Sequence, residues 1–241
     1  IDEIVQMYQD AGVELTAFHV GGDEVPEGIW EGSSICRTFM QENGLTKIRD
    51  LKDYFLEQIL EMLDKRNIQV VGWQDIVMNP DNTVNEHFKN SKVLNYCWNT
   101  IPEQGGDEVP YKLANAGYPV ILCNVGNFYL DMAYCYHVEE PGLRWGGYVD
   151  EYVTFDIYKS LRWNLKGEPV DVNAASNGKQ PLTKEGYQNI KGLSGQIWSE
   201  TIRSFEQVEY YLFPKVFGLA ERAWNVQPSW ALSPDGKVYM D

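Results

Sequence analysis

The 241-residue sequence has no run of eighteen or more apolar residues, the length a helix needs to cross a bilayer, and no signal peptide at its start. No membrane partner is expected. Basic residues are scarce: 20 Lys and Arg against 35 Asp and Glu leave a formal net charge of −15. That balance excludes a nucleic-acid partner, because phosphate binding needs clustered cations that displace counterions. It says little about any other partner, since acidic surfaces commonly serve solubility. The histidines are only His19, His87 and His137, and the cysteines Cys36, Cys97, Cys123 and Cys135 form no CxxC pair. With no ligand spacing among them, neither a metal nor any other cofactor is expected. Cys97 and Cys123 fall in apolar strand-like runs and are expected as buried free thiols. Aromatic residues are in excess instead, with eight Trp, fifteen Tyr and nine Phe. Their flat apolar rings suit both a core and the apolar faces of sugar rings.

The pattern of apolar residues alternates helices with short strands. Residues 2 to 11 place Ile4, Val5, Tyr8 and Ala11 on one helical face, with Gly12 as the stop. Leu15 to Val20 reads as a buried strand. Asp50 reads as the cap of a long helix with apolar positions Leu51, Tyr54, Phe55, Ile59, Met62 and Leu63. Ile68 to Trp73, Val93 to Trp98, Val120 to Asn124 and Gly192 to Trp198 read as further buried strands. Pro110 to Ala116 is a short helix ended by Gly117. Phe205 to Trp224 is a long helix that Pro214 kinks or restarts. Between residues 125 and 191 lies an aromatic excursion too long for an ordinary connection and therefore expected to be functional.

Strands separated by helices in this order predict parallel βα units, with the spacing of a (β/α) barrel. Polar and aromatic residues gather at the strand C-terminal ends: Asp23 and Glu24, Trp73 and Asp75, Trp98, then Trp198 with Glu200. In a barrel those ends meet at one mouth, where active sites are built. An acidic pair in so acidic a chain is ordinarily solvated surface. Asp23 and Glu24, however, follow an apolar strand and Gly21-Gly22. Glycines there permit the unusual dihedrals needed for adjacent side chains to escape the strand's alternation and share one pocket. Two carboxylates so placed would separate into acid and base roles.

The string His19-Val20-Gly21-Gly22-Asp23-Glu24 resembles the His-x-Gly-Gly-Asp-Glu signature of the family 20 glycoside hydrolases, the β-N-acetylhexosaminidases, on their fourth barrel strand. Later motifs follow in the family's order. Gly72-Trp73-Gln74-Asp75 resembles its fifth-strand tryptophan motif, and Trp98 its sixth-strand tryptophan. Tyr129-Leu130-Asp131 resembles the tyrosine-x-aspartate motif after strand seven, Gly142-Leu143-Arg144-Trp145 the loop tryptophan, and Trp198-Ser199-Glu200 the Trp-x-Glu of strand eight. The resemblance covers nearly the whole chain and implies an α/β fold, the C-terminal part of a (β/α)8 TIM barrel comprising strands 4 to 8 with their helices. Residues 1–241 would then be one partial catalytic barrel domain, with the first three βα units upstream of Ile1. The opening on an amphipathic helix already under way fits a piece of a longer protein.

The resemblance also implies a function: a retaining exo-glycosidase that removes terminal GlcNAc or GalNAc, with the substrate's own 2-acetamido oxygen as nucleophile. Glu24 would be general acid and then base, Asp23 would orient the acetamido N–H and stabilise the oxazolinium, and Tyr129 would donate to the acetamido oxygen. Trp73, Trp98 and Trp198 would wall the pocket, Asp131 and Glu200 would hold sugar hydroxyls, Trp145 would pack at the rim, and His19 would support the wall. The excursion over residues 125 to 191 would meet the leaving sugar. Trp30, Trp163, Trp224 and Trp230 are expected as core residues, and neither His87 nor His137 carries chemistry.

Two other readings stand beside this one. Glu200 could act as a protein nucleophile, or the chain could be a carbohydrate-binding relative without catalysis. The expected partner is an N-acetylhexosamine-terminated oligosaccharide. Unpaired edges of a partial barrel also suggest self-association. The family's members imply a secreted or periplasmic location, lysosomal in a eukaryote. An arginine clamp that the family carries near its first strand has no counterpart here, so the isolated chain is expected to be nearly inactive.

Overall fold

In a computed structural model, residues 1–26, 28–155 and 182–225 are described. The chain forms two compact units, Ile1–Tyr96 and Cys97–Asp241.

The first unit opens with helix α1 (Asp2–Asp10), which ends at Gly12, whose φ of +71° suits glycine. Its apolar stripe finds no cover: no residue of α1 is buried, and Ile4, Met7 and Tyr8 are all exposed. Strand β1 (Ala17–His19) is shorter than the Leu15–Val20 read from the sequence and, against that reading, holds no buried residue. Helix α2 (Ser34–Glu42) starts where the Ser33 hydroxyl accepts from the Cys36 amide at 3.2 Å.

Helix α3 (Asp50–Asp64) corrects one expectation. Asp50 is its first helical residue, not its cap, and its carboxylate turns back to accept from the Lys47 and Thr46 amides at 2.8 and 3.0 Å. Those bonds hold the carboxyl below its usual range. The packed positions of α3 are Leu56 and Leu63, whereas Phe55 and Met62 are exposed. Strand β2 (Gln69–Trp73) is buried through Val70, Val71 and Gly72. It pairs in parallel with β1 in the register His19↔Val71, and with β3 (Leu94–Cys97) in the register Trp73↔Tyr96.

The second unit takes up the chain at Cys97, whose carbonyl accepts from the Cys123 amide at 2.9 Å. Helix α4 (Val109–Asn115), ended by Gly117 at φ +96°, buries Val109, Leu113 and Ala114. Strand β4 (Val120–Leu122) leads into helix α5 (Val125–Phe128). The excursion continues through α6 (Glu151–Phe155). After residues 156–181, which lie outside the described part and include Trp163, it ends in α7 (Lys184–Asn189).

Strand β5 (Ile190–Leu193) pairs in parallel with β4 and begins and ends earlier than the Gly192–Trp198 expected. The reason is a change of partner. The Ser194 amide still donates to Leu122, but the Gln196 amide donates to Phe128 and the Gln196 carbonyl accepts from the Leu130 amide at 2.8 Å. Trp198 thus lies beyond the strand, in an irregular segment. The long helix expected over Phe205–Trp224 is two helices, α8 (Phe205–Leu212) and α9 (Lys215–Trp224), restarted at Pro214 as the missing proline N–H requires.

Cys97 and Cys123 are buried and free, as expected, and burial pushes the Cys123 thiol up to about 12. Of the four tryptophans assigned to the core, Trp30 is half-buried and Trp230 lies outside the described residues. Trp224 is 89% exposed, against expectation. The buried face of α9 carries Lys215, Gly218 and Arg222, and Trp224, two residues past Arg222, points away from it. Among the described residues no helix is long and apolar enough to cross a membrane.

Candidate active site

The predicted site residues divide between the units, with His19, Asp23, Glu24 and Trp73 in the first and the rest in the second.

In the first unit the chain leaves β1 through three positive-φ residues within four positions. Gly21 and Gly22 adopt φ values of +71° and +92°, and Glu24 follows at +49°. A side chain rarely tolerates that region, and non-glycine residues held there cluster at functional sites. The turn is wedged as well as bent. A Cβ on Gly22 would lie 2.0 Å from the Ile76 side chain, and one on Gly72 2.4 Å from the same residue. The Gly21 carbonyl accepts from the Trp73 amide at 3.1 Å. Close backbone approach therefore seats the Asp23-Glu24 turn against the end of β2, and both carboxylates are exposed to solvent.

Beneath this turn His19 accepts from the Gly21 amide through Nδ1 at 3.1 Å, which leaves its proton on Nε2. Its ring stands edge-on to Trp73 and Tyr96 at 5.0 and 5.3 Å, and those two rings are 6.0 Å apart. Desolvation holds the imidazole below its usual pKa, opposed by the Asp23 charge. That shift favours the neutral imidazole. Tyr96 was missed in the sequence, although the alternation of β3 puts it on the face opposite buried Asn95 and Cys97.

In the second unit an aromatic chain forms. Trp145 stands edge-on to Trp98 at 6.1 Å and to Tyr129 at 5.8 Å, and Tyr129 meets Trp198 at 6.0 Å. Tyr129 is buried against Val125, Met132 and Val149, while Trp145 and Trp198 keep open faces. Asp131 is 1% exposed. Its Oδ1 accepts from the Trp198 amide at 3.1 Å, and its Oδ2 has no hydrogen-bond partner. Burial raises the Asp131 pKa, the Glu200 charge adds to the rise, and the Trp198 amide and Lys215 oppose it. Glu200 itself is exposed.

A backbone bridge between Met132 and Leu143 ties the Tyr129–Asp131 segment to the Trp145 loop. Beside Trp145 opens a cavity of about 660 Å³, lined among others by Thr100, Asp107, Asn124, Asn127 and Arg144. The second unit thus assembles Trp98, Tyr129, Asp131, Trp145 and Trp198, with Glu200 acting on Asp131 through charge. It adds a residue the sequence did not single out: Lys215, fully buried beneath Asp131. The signal for it was a lysine in phase with Gly218 and Arg222 on the inward face of a helix.

Comparison with known proteins agrees with these motifs. The family model described as glycosyl hydrolase family 20, catalytic domain, matches residues 1–227, and the chain belongs to that family. The β-hexosaminidase of Vibrio vulnificus is 29% identical over 233 residues, 95% of this chain and 27% of that protein. The N,N'-diacetylchitobiase of Vibrio harveyi is 28% identical over 258 residues, 93% of this chain and 28% of that protein. Among solved structures, the GH20 exo-β-N-acetylglucosaminidase of Vibrio harveyi in complex with N-acetylglucosamine superposes with a TM-score of 0.68 at 24% identity, over 95% of this chain and 32% of that one. The fold is accordingly that of part of a TIM-barrel catalytic domain. The chain spans under a third of the length of these relatives.

Proposed function

We propose that the chain is the acid/base-bearing part of an exo-acting β-N-acetylhexosaminidase that removes terminal GlcNAc or GalNAc by substrate-assisted hydrolysis. The observation that carries this reading is the Gly21–Glu24 turn: an acidic pair that follows two positive-φ glycines, with Glu24 itself at positive φ, at the end of a parallel strand in a chain whose residues 1–227 match the family model.

In the first step the acetamido oxygen of the substrate bonds to C1 as the C1–O bond to the leaving sugar breaks, and Glu24 gives its proton to the departing oxygen. Asp23 accepts from the acetamido N–H and balances the positive charge of the oxazolinium. In the second step Glu24 takes a proton from water, whose oxygen bonds to C1 and reopens the ring. Holding the internal nucleophile in an attacking pose supplies much of the rate. As the family resemblance implies, Tyr129 donates to the acetamido oxygen, Trp73, Trp98 and Trp198 line the sugar pocket, Trp145 packs at the rim, and Asp131 and Glu200 accept from sugar hydroxyls.

The reading extends to the protein as a whole. Three further βα units and an arginine clamp on the sugar hydroxyls complete the barrel, and the longer protein acts outside the cell, in the periplasm or in a lysosome. The open edges of the partial barrel associate with those of a second copy. On an aryl N-acetylglucosaminide the isolated 241-residue chain is expected to show almost no turnover. Near-normal turnover would refute the need for the preceding units.

The experiment that tests the mechanism is inhibition of the longer protein by a thiazoline mimic of the oxazoline. Tight, competitive inhibition supports acetamido participation. Indifference would overturn it in favour of a protein nucleophile such as Glu200.

A further inference from the structure

Lys215 is the first residue of α9 and has no exposed surface. An ammonium carries three donors, and leaving any unpaired in a protein interior is costly. Here two of them reach the carbonyls of Leu130 and Met132 at 2.8 and 2.6 Å, and the group sits over the Tyr134 ring, 3.8 Å from its centroid. These carbonyls bracket Asp131, whose own carbonyl accepts from the Leu143 amide at 3.3 Å. A buried cation is an expensive way to dock a helix, since an apolar side chain would fill the same volume without the desolvation cost. Its placement is accounted for by what lies above it: a buried carboxylate with one free oxygen, and the tyrosine two residues before it.

We propose that Lys215 is a positioning residue of the sugar site: by clamping the carbonyls on either side of Asp131 it fixes the direction of the Asp131 carboxylate and of the Tyr129 ring, and its charge favours the carboxylate form. The role in catalysis rests on the function proposed above. The clamp itself does not.

The groups facing the ammonium are Asp131, Glu140, Asp150 and Glu151, whose charges favour its protonation, and the rings of Tyr134 and Tyr211. Burial outweighs them and brings Lys215 down to about 8. Carboxylate and ammonium therefore titrate as neighbours that feel each other.

The test uses the unsubstituted chain, Lys215→Arg and Lys215→Met. In the unsubstituted chain, the ¹³C signal of the Asp131 carboxyl is expected to show a second inflection as Lys215 loses its proton, and this measurement stands even if a variant fails to fold. No such inflection would overturn the proposal. In Lys215→Met the Asp131 midpoint should rise and the amides of residues 130–133 should exchange about tenfold faster, while Lys215→Arg restores both. An unchanged Met variant, or an Arg variant that rescues neither, would refute the charge clamp. In the longer protein, Lys215→Met should lower kcat by up to about 10²-fold through misplacement of the sugar, with Lys215→Arg largely restoring it. If the unsubstituted longer protein hydrolyses no N-acetylhexosaminide, the functional reading fails, while the Asp131 titration still decides the clamp.

Discussion

Glu24→Gln in the longer protein is expected to reduce kcat/KM on an N-acetylhexosamine disaccharide by about 10²–10⁴-fold, the contribution of a well-placed proton donor. The amide has nearly the shape of the acid but no proton to give. An aryl glycoside with an activated leaving group needs no such proton in the first step and should be spared there. The contrast between the two substrates separates loss of the acid from loss of the fold, which would depress both. Asp23→Asn should damage both substrates comparably, because a neutral amide cannot balance the oxazolinium. Steady-state kinetics on the disaccharide and the aryl glycoside check these outcomes. Full activity of either variant on the disaccharide would overturn its assigned role.

Gly142→Ala should strongly disrupt the second unit. Gly142 has a φ of +106°, and a Cβ there would lie 2.6 Å from the Asp131 carbonyl oxygen and 2.8 Å from the Ala133 amide nitrogen. Both are backbone atoms and cannot swing aside. Strained dihedrals cost about 1–3 kcal/mol and overpacking costs about as much again. The clash also falls on the bonds from Ala133 to Leu143 and from Leu143 to Asp131 that tie the two loops. Gly147→Ala is the internal control, with the same φ of +106° but nothing within 4 Å of the added carbon. Urea unfolding should find Gly142→Ala the less stable of the two, and sugar binding lost with it. Equal stabilities would mean that the close approach at Gly142 contributes nothing.

Much of the architecture was legible because its signals are local. Apolar runs such as Val70-Val71 and Val120-Ile121-Leu122 specify strands buried on both faces, and Pro214 divides a helix wherever it stands. Strand ends were less legible. The sequence from Gly192 to Trp198 reads as one strand, yet pairing with β4 stops after Ser194 because residues 128–130 offer Gln196 other partners. Helix faces were misread for a related reason. In α3 the periodicity named Leu63, which is buried, but also Phe55 and Met62, which are exposed, and it passed over Leu56, which packing covers.

The site divides along the same line. Motif order in the sequence alone determined the family and singled out the acidic pair and the tryptophans as candidates, since each is a short string whose chemistry travels with its residues. Only the tertiary structure decided how those residues are held. Ile76 wedges the glycine turn that carries Glu24, the Gly21 amide fixes the tautomer of His19, and Tyr96 closes an aromatic wall that no motif contains. Lys215 stands 84 residues from Asp131 in the numbering, yet its ammonium lies against the carbonyls of the residues flanking it. A lysine's sequence context announces a solvated charge. Only the packing of α9 against the Leu130–Met132 segment removes the water and leaves those carbonyls as its partners.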